Sequence, residues 1–156
     1  MIEIAIPGQR ALRLERLVLD YNGTLALDGE PLPGVRESLA SLAGRLEVHV
    51  LTADTHGGAA DRLAGVPCHV EVVPRDGQTE AKRDYVSKLG PESTACVGNG
   101  RNDRLMLQEA ALGIAVVQEE GAVADTVMAA DVVVPSILAA FGLLEHPLRL
   151  VATLRG

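Results

Sequence analysis

The chain has 156 residues, a formal net charge of −7 at pH 7, and a composition that is 47% hydrophobic but only 2% aromatic. This length is enough for one domain to bury a core of its own, and we expect residues 1–156 to form a single domain. The negative charge argues against a nucleic-acid backbone or an anionic membrane as partner, because both attract basic patches. An aliphatic core is typical of strands covered by helices on both faces, which favours an α/β fold.

The cysteines and the apolar segments bear on the compartment. Cys68 and Cys96 are isolated in strand-like segments, and they have the spacing of neither a metal site nor a redox pair. Free cysteines of this kind behave as small hydrophobic residues and fit a reducing cytoplasm. We see no signal-peptide pattern at the N-terminus and no run of the roughly 18 apolar residues that a spanning helix needs. The sequence therefore predicts a cytoplasmic protein outside the membrane.

The predicted elements alternate between strands and helices. Residues 1–6 and 11–19 indicate two strands joined at Pro7-Gly8, which predicts an added hairpin at the edge of the sheet. Asp28-Gly29, between short apolar pieces, predicts a second hairpin that could form a flap over the site. Further strands are expected near 46–51, 69–73, 95–97, 114–117 and 132–134, with helices at 35–43, 59–64, 79–89, 102–111 and 122–128 and a last helical segment, 136–154, interrupted at Pro147. This alternation indicates βαβ units with right-handed crossovers.

A carboxylate stands at the end of the first buried strand. Asp20 follows Leu17-Val18-Leu19, so it lies at the carboxyl end of that strand, where open α/β sheets place ligands. Gly23 then allows a sharp turn of the backbone. This arrangement would expose a nucleophile, although Asp20 taken alone is equally compatible with a residue that caps a turn.

Three more polar groups are expected at the same edge of the sheet. Thr52 ends the second apolar run and is followed by Ala53. Lys82 lies in the predicted helix 79–89, and the segment Gly98-Asn99-Gly100-Arg101-Asn102-Asp103 closes a later strand. Four strand ends or helix starts thus carry, in order, an Asp, a Thr, a Lys and an Asn/Asp cluster.

In this order the residues resemble the four motifs of the haloacid dehalogenase superfamily of phosphotransferases. Asp20-Tyr21-Asn22-Gly23-Thr24 resembles its first motif, Asp-x-Asp-Gly-Thr, and also the Asp-Lys-Thr-Gly-Thr of P-type ATPases. Leu51-Thr52 matches the second motif, Lys82 the third, and residues 98–103 the fourth, Gly-Asp-Gly-x-Asn-Asp. Each motif alone is weak, whereas four in the right order are strong. The match runs from about Leu14 to Asp131, and the chain looks most similar to a soluble phosphatase related to the phosphorylation domain of a P-type ATPase.

The resemblance implies a three-layer, doubly wound, mostly parallel sheet and a Mg²⁺-dependent phosphatase. Asp20 would attack phosphorus and become an aspartyl-phosphate. The phosphoryl oxygens would be held by Thr52, Ala53, Gly23 and Lys82. The implied Mg²⁺ ligands are Asp20, the Asn22 carbonyl, Asn99 and Asp103, with Thr24 and Asn102 in supporting positions.

Two residues depart from the family pattern. Asn22 stands where these phosphatases usually have a second Asp that protonates the leaving oxygen and then activates water, and an amide does neither. Asn99 stands where the fourth motif usually has its first Asp, so it gives up one negative charge toward Mg²⁺. We expect slow turnover and weaker metal binding, with a phosphoenzyme that persists as it does in P-type ATPases.

The spacing of the motifs leaves no room for a cap domain. Only 27 residues separate Thr24 from Thr52 and 29 separate Thr52 from Lys82, and predicted elements use most of them. An open site follows, so the substrate is either a small phosphate ester under a lid from another subunit of a homo-oligomer, or a larger phosphorylated molecule.

The same residues bear on two alternative functions. A receiver-like phosphoacceptor also uses Asp, Thr or Ser, Lys and Mg²⁺, but its phosphorylated Asp follows a later strand than the acidic pair, whereas Asp20 comes first. A non-catalytic binding or regulatory module is favoured by Asn22 and Asn99, while the intact Asp20, Thr52, Lys82 and Asp103 oppose it.

Overall fold

The structure is a computed structural model that describes residues 1–54 and 56–156. Its strands are β1 (Ile2–Ile4), β2 (Leu12–Leu14), β3 (Arg16–Asp20), β4 (Ala26–Leu27), β5 (Glu30–Pro31), β6 (Glu47–Thr52), β7 (His69–Val72), β8 (Thr94–Gly98), β9 (Leu112–Val116) and β10 (Val132–Val134). Its helices are α1 (Val35–Leu42), α2 (Gly58–Arg62), α3 (Gln78–Leu89), α4 (Arg104–Glu109), α5 (Ala124–Ala129), α6 (Ile137–Glu145) and α7 (Pro147–Leu154), with 3₁₀ turns at Pro91–Ser93 and Arg101–Asp103. The predicted alternation is confirmed, with ends shifted by a few residues.

Six of the strands form one parallel sheet in the order β10-β9-β8-β3-β6-β7. The chain first builds outward from β3 through β6 to β7, and then returns to the other side of β3 with β8, β9 and β10. The direction of winding thus reverses between β3 and β8. In sheets of this kind ligands bind at such a switch point, beyond the carboxyl ends of the strands.

Helices cover both faces of the sheet, which gives the expected three layers. Side chains that alternate along β3 enter different cores, because successive residues of a strand point to opposite faces. Leu17 and Leu19 pack in a core with residues of α1 and α6, whereas Val18 packs with Val86 of α3 and Met106 of α4. The sheet, buried on both sides, therefore carries aliphatic residues almost throughout.

The N-terminal hairpin forms, but it does not lie at an edge of the main sheet. Strands β1 and β2 pair antiparallel with each other as a separate two-stranded sheet, and the edges of the main sheet are β10 and β7. Ile2 and Ile4 are buried in the core on the α1 side. The hairpin therefore covers one end of the core, and its alternating pattern could not distinguish that position from an edge strand.

The length and composition of the helices bear on membrane insertion. No single helix among residues 1–54 and 56–156 is long and apolar enough to cross a bilayer. Helices α6 and α7, bent by 99° relative to each other, have the necessary length and composition only when they are taken together. Pro147 starts α7 at this bend, as the sequence predicted.

Gly113 provides a test of how closely β9 and α4 are packed. A Cβ added there would lie 2.3 Å from the Leu107 carbonyl oxygen, a backbone atom that cannot turn aside. We expect Gly113→Ala to lower the free energy of unfolding by about 1–3 kcal/mol through overpacking. Urea unfolding is the measurement, and Gly44→Ala is the control, because the nearest atom there, the Ser41 carbonyl oxygen, is 3.4 Å away. Equal unfolding midpoints for the two variants would contradict the packing.

Candidate active site

The predicted site residues come together at the switch point of the sheet. A cleft of about 240 Å³ opens there, beyond the carboxyl ends of β3, β6 and β8. Seven of the residues that line it were expected from the sequence: Asp20, Asn22, Thr52, Ala53, Lys82, Asn99 and Asn102. Three were not: Gln78, Gly100 and Glu120.

The floor of the cleft is an ion-pair triad centred on Lys82. This side chain reaches from α3, and its Nζ donates to Asp20 Oδ1 at 2.6 Å and to Asp103 Oδ1 at 2.7 Å. Lys82 is 1% exposed and Asp103 is fully buried, so water does not screen the two contacts. The lysine thereby fixes the position of the Asp20 carboxylate relative to the segment after β8.

Asp103 also organises the backbone of that segment. Its Oδ2 accepts from the N–H of Asn99 at 3.0 Å and of Gly100 at 2.9 Å. This close approach needs Gly98, because a Cβ there would lie 2.5 Å from Asp103 Cγ. The glycine of the fourth motif is thus explained by the space that the buried carboxylate occupies.

The turn after β3 is tied to the same segment. Thr24 is fully buried, and its Oγ1 lies 3.1 Å from Asp20 Oδ2 and 3.3 Å from Asn99 Oδ1, so its single proton can be donated to either. Asn99 donates its Nδ2 to the Gly121 carbonyl at 3.0 Å, which holds the amide in this orientation. Thr24, predicted as a supporting residue, thus contacts the Asp20 carboxylate directly, whereas Asn99, predicted as a cation ligand, is linked to that carboxylate through Thr24.

Gly23 contributes to the turn after β3. Its φ is 81°, in the left-handed region that favours glycine. Its N–H donates to the Ala26 carbonyl at 2.9 Å, and Gly23 is not among the residues that line the cleft. In this structure the Gly23 N–H closes the turn, and phosphate binding by Gly23 stays a prediction.

Thr52 presents its hydroxyl to the cleft from the end of β6. Its Oγ1 accepts from the Asp54 N–H at 3.1 Å, which leaves the hydroxyl proton free to be donated. The Asp54 carboxylate accepts from the N–H groups of His56 and Gly58. Asp54 therefore shapes the loop that precedes α2, and it does not line the cleft.

The second hairpin is not a flap over this cleft. Strands β4 and β5 pair through a turn in which Asp28 and Gly29 have positive φ, as an Asp-Gly turn favours. Within the described chain, no residue of 25–31 lines the cleft. The Gly29 carbonyl instead accepts from the Tyr21 hydroxyl at 2.8 Å, and Glu30 pairs with Arg62 on α2. The predicted flap is therefore held away from the site.

The triad carries one uncompensated negative charge, because two carboxylates face one ammonium. Burial, and then the charge of Asp103, raise the pKa of Asp20 to about 7 against the opposing effects of Lys82 and Thr24. Burial alone would lower the pKa of Lys82, but the two carboxylates outweigh it and raise that pKa above its usual value. Lys82 is thus protonated wherever Asp20 titrates.

The residues present fit a hard divalent cation. Asp20 uses one lone pair toward Lys82 and one toward Thr24, so about two of the four lone pairs of its carboxylate remain. The excess negative charge of the floor favours a cation, and Asn22 and Asn99, which carry neutral oxygens, line the same cleft. In residues 1–54 and 56–156 no three His, Cys, Asp or Glu side chains form a group that could hold a metal. Asp103 does not line the cleft, and both of its carboxylate oxygens already accept hydrogen bonds, so of the predicted carboxylate ligands only Asp20 faces the cleft among the described residues.

Two of the residues that line the cleft without belonging to a motif, Gln78 and Glu120, have polar side chains. Gln78 begins α3, and its Oε1 accepts from Asn102 Nδ2 at 2.6 Å, which joins α3 to the 3₁₀ turn. Glu120 follows β9 and brings a carboxylate to the cleft. The position of Glu120 shortly after a strand of the same sheet could have pointed to it. Glu120 belongs to none of the four motifs, however, so nothing singled it out.

The raised pKa of Asp20 predicts a pH dependence of stability in a chelator-containing buffer. In the unfolded chain Asp20 has its ordinary pKa of 3.8, whereas in the folded protein it keeps its proton up to about pH 7. The folded state therefore binds more protons between these values, and its free energy of unfolding falls as the pH rises through this window. His49, whose pKa burial lowers, acts in the opposite direction.

The measurement is urea unfolding of the wild type and of Asp20→Asn across this range of pH. The difference in unfolding free energy between the two proteins isolates the contribution of Asp20. We expect the wild type to lose stability relative to the variant as the pH rises. A difference that is constant with pH would contradict the electrostatics of the triad.

No family model matches the sequence. Two uncharacterised proteins of Methanocaldococcus jannaschii are similar to parts of it. MJ0073 is 48% identical over 59 residues, which cover 38% of this chain and 63% of that protein, and MJ0072 is 49% identical over 39 residues, which cover 25% of this chain and 89% of that protein. The chain thus spans less than two thirds of the length of MJ0073.

Several solved structures share the fold at low sequence identity. The 3-deoxy-D-manno-octulosonate 8-phosphate phosphatase of Moraxella catarrhalis, in complex with magnesium, phosphate and KDO, has a TM-score of 0.70 at 15% identity, covering 91% of this chain and 94% of that one. A Legionella pneumophila protein named as a HAD superfamily (subfamily III A) hydrolase gives 0.67 at 16%, covering 90% and 87%. A zinc-transporting PIB-type ATPase in its E2.Pi state gives 0.61 at 24%, covering 78% of this chain but 20% of the pump. The chain therefore has the fold of the haloacid dehalogenase (HAD) superfamily.

Proposed function

We propose that the protein is a Mg²⁺-dependent phosphatase that forms an aspartyl-phosphate on Asp20. The observation that carries this proposal is the Lys82 triad: a strand-end carboxylate held at 2.6 Å by a buried ammonium, at the floor of a cleft at the switch point of the sheet. The likeness in fold to a phosphatase that binds magnesium and phosphate supports it. The substrate is a phosphate ester.

The side chains divide the work of phosphoryl transfer between them. The Asp20 carboxylate is the nucleophile, so the leaving oxygen departs on the side of phosphorus opposite to it. Lys82 and the free hydroxyl proton of Thr52 neutralise and orient the phosphoryl oxygens, and Ala53 lies beside them in the lining. Asp20, the Asn22 carbonyl, Asn99 and Asp103 would hold Mg²⁺, which when bound supplies positive charge toward the phosphoryl group.

Asp20 must be ionised to attack. Its pKa near 7 in the absence of a cation means that much of it is protonated at neutral pH, and a bound cation favours the ionised form. Lys82 cannot act as the proton acceptor, because its raised pKa keeps it charged. The cation and the ionisation of Asp20 are therefore linked, and a bound cation raises the fraction of Asp20 that is ionised at neutral pH.

The proposal includes slow hydrolysis of the phosphoenzyme. Asn22 lines the cleft in an exposed position near the nucleophile, where a carboxylate would serve as general acid and base. An amide cannot take or give the proton, and such assistance is typically worth about 10²–10⁴-fold. A second copy of the chain as a lid over the open cleft is also part of the proposal, since closed symmetric assemblies are usual among soluble proteins.

The direct test is hydrolysis of a broad panel of phosphate esters by the purified chain, with Mg²⁺ and with a chelator. We expect phosphate release from at least one ester that depends on Mg²⁺ and that is abolished in Asp20→Asn, because the amide is not a nucleophile. Release of phosphate by the variant at the wild-type rate would refute the mechanism. Binding of phosphorylated ligands without turnover would favour the non-catalytic module instead.

The Asn22→Asp variant tests the acid and base role. We expect it to raise turnover at saturating Mg²⁺, with an upper limit of about 10²–10⁴-fold, and to shorten the life of the phosphoenzyme. Single-turnover assays with acid quench measure both quantities, and Asn22→Ser controls for the loss of the amide. Unchanged turnover with intact metal binding would show that another group fills this role.

A further inference from the structure

We propose that Glu120 selects the substrate, disfavouring phosphate esters whose leaving group carries a carboxylate and favouring those whose leaving group carries an ammonium. The inference rests on the proposed phosphatase function, and it names a substrate class and a specificity-determining residue. The carboxylate of Glu120 belongs to no motif of the family resemblance, and the phosphoryl chemistry described above does not use it.

Glu120 occupies the wall of the cleft beside the turn that follows β3. Its Oε2 lies 2.6 Å from the point at which a Cβ on Gly23 would stand, so the carboxylate rests on the glycine backbone. Asn99 Nδ2 lies 2.6 Å from the same point. Glu120 therefore stands next to the proposed cation ligands while remaining exposed at the mouth.

The charge of Glu120 is not offset within the described chain. None of the ion pairs formed by residues 1–54 and 56–156 includes it. The other side chains around the outer part of the cleft, Asn22, Gln78 and Asn102, are neutral. Lys82 lies at the floor and is already paired with two carboxylates.

The chemistry decides which part of the substrate meets this charge. With Asp20 attacking from the floor, an in-line displacement directs the leaving group away from the floor and toward the mouth. In the proposed function the phosphoryl end meets Lys82 and a bound cation at the floor, whereas the leaving group meets Glu120. A carboxylate on the leaving group is repelled there, and an ammonium is attracted.

The effect is moderate because Glu120 is exposed. Exposed charges that interact across several ångströms change free energies only modestly, so we expect changes of roughly threefold to tenfold in kcat/KM for each charged ester. The preference should also shrink at about 0.5 M salt, because ions then screen the charge of Glu120 over a shorter distance.

The experiment compares three small esters of similar size: phosphoethanolamine, glycerol 1-phosphate and 3-phosphoglycerate. The readout is the ratio of kcat/KM for the cationic ester to that for the carboxylated ester, at low and high salt. The variant should lose both the attraction of the ammonium ester and the repulsion of the carboxylated ester, and the two changes multiply in the ratio. We therefore expect Glu120→Gln to lower this ratio by roughly tenfold or more at low salt. Glu119→Gln is the matched control, because Glu119 lines a different groove and should leave the ratio unchanged.

The outcomes separate this inference from the proposed function. An unchanged ratio in Glu120→Gln, with turnover intact, overturns the role of Glu120 and leaves the phosphatase proposal standing. Equal shifts in both glutamate variants also overturn it, because they would reflect net charge alone. If the wild type hydrolyses none of these three esters, the broad panel decides the proposed function, and calorimetric binding of the same three compounds with Mg²⁺ tests the preference directly: equal affinities in wild type and Glu120→Gln overturn it.

Discussion

The buried contact of Lys82 with two carboxylates is the constraint on which the rest of the site depends. One ammonium from α3 holds the end of β3 and the segment after β8 at hydrogen-bond distance. Removing the ammonium would leave two buried carboxylates without a compensating cation, which is strongly destabilising. The position of the Asp20 carboxylate relative to the segment of Asn99 and Gly100 is therefore fixed by this one buried interaction.

The triad also explains why the site needs a cation. Two carboxylates against one ammonium leave a negative floor in a place where desolvation already disfavours charge, and the pKa of Asp20 rises to about 7 as a result. A divalent cation relieves this excess and releases the nucleophile in its ionised form. Asn22 and Asn99 are uncharged at positions where the motifs that the chain resembles carry Asp, and Glu120 adds a carboxylate to the lining of the same cleft.

Much of this site could be predicted from sequence because its residues stand at strand ends. Asp20, Thr52 and the segment of Asp103 follow apolar runs, and parallel strands bring their carboxyl ends to one edge. The hydrogen bond by which the Gly23 N–H closes the turn could not be predicted, because it depends on how the loop after β3 folds back on itself. The place of the N-terminal hairpin and the approach of Glu120 depend on long-range packing, and neither leaves a periodic pattern or a spacing in the chain.

The central claim is that Asp20 carries the phosphoryl group, and the most direct measurement is to locate that group on the protein. The wild type is incubated with Mg²⁺ and a phosphate ester that it hydrolyses, quenched in acid and digested, and the peptides are analysed by mass spectrometry. The account predicts one hydroxylamine-sensitive phosphoryl group on Asp20, in the tryptic peptide of residues 17–36, and its loss in Asp20→Asn. A phosphoryl group on another residue, or rapid hydrolysis with no phosphorylated peptide in either protein, would contradict it.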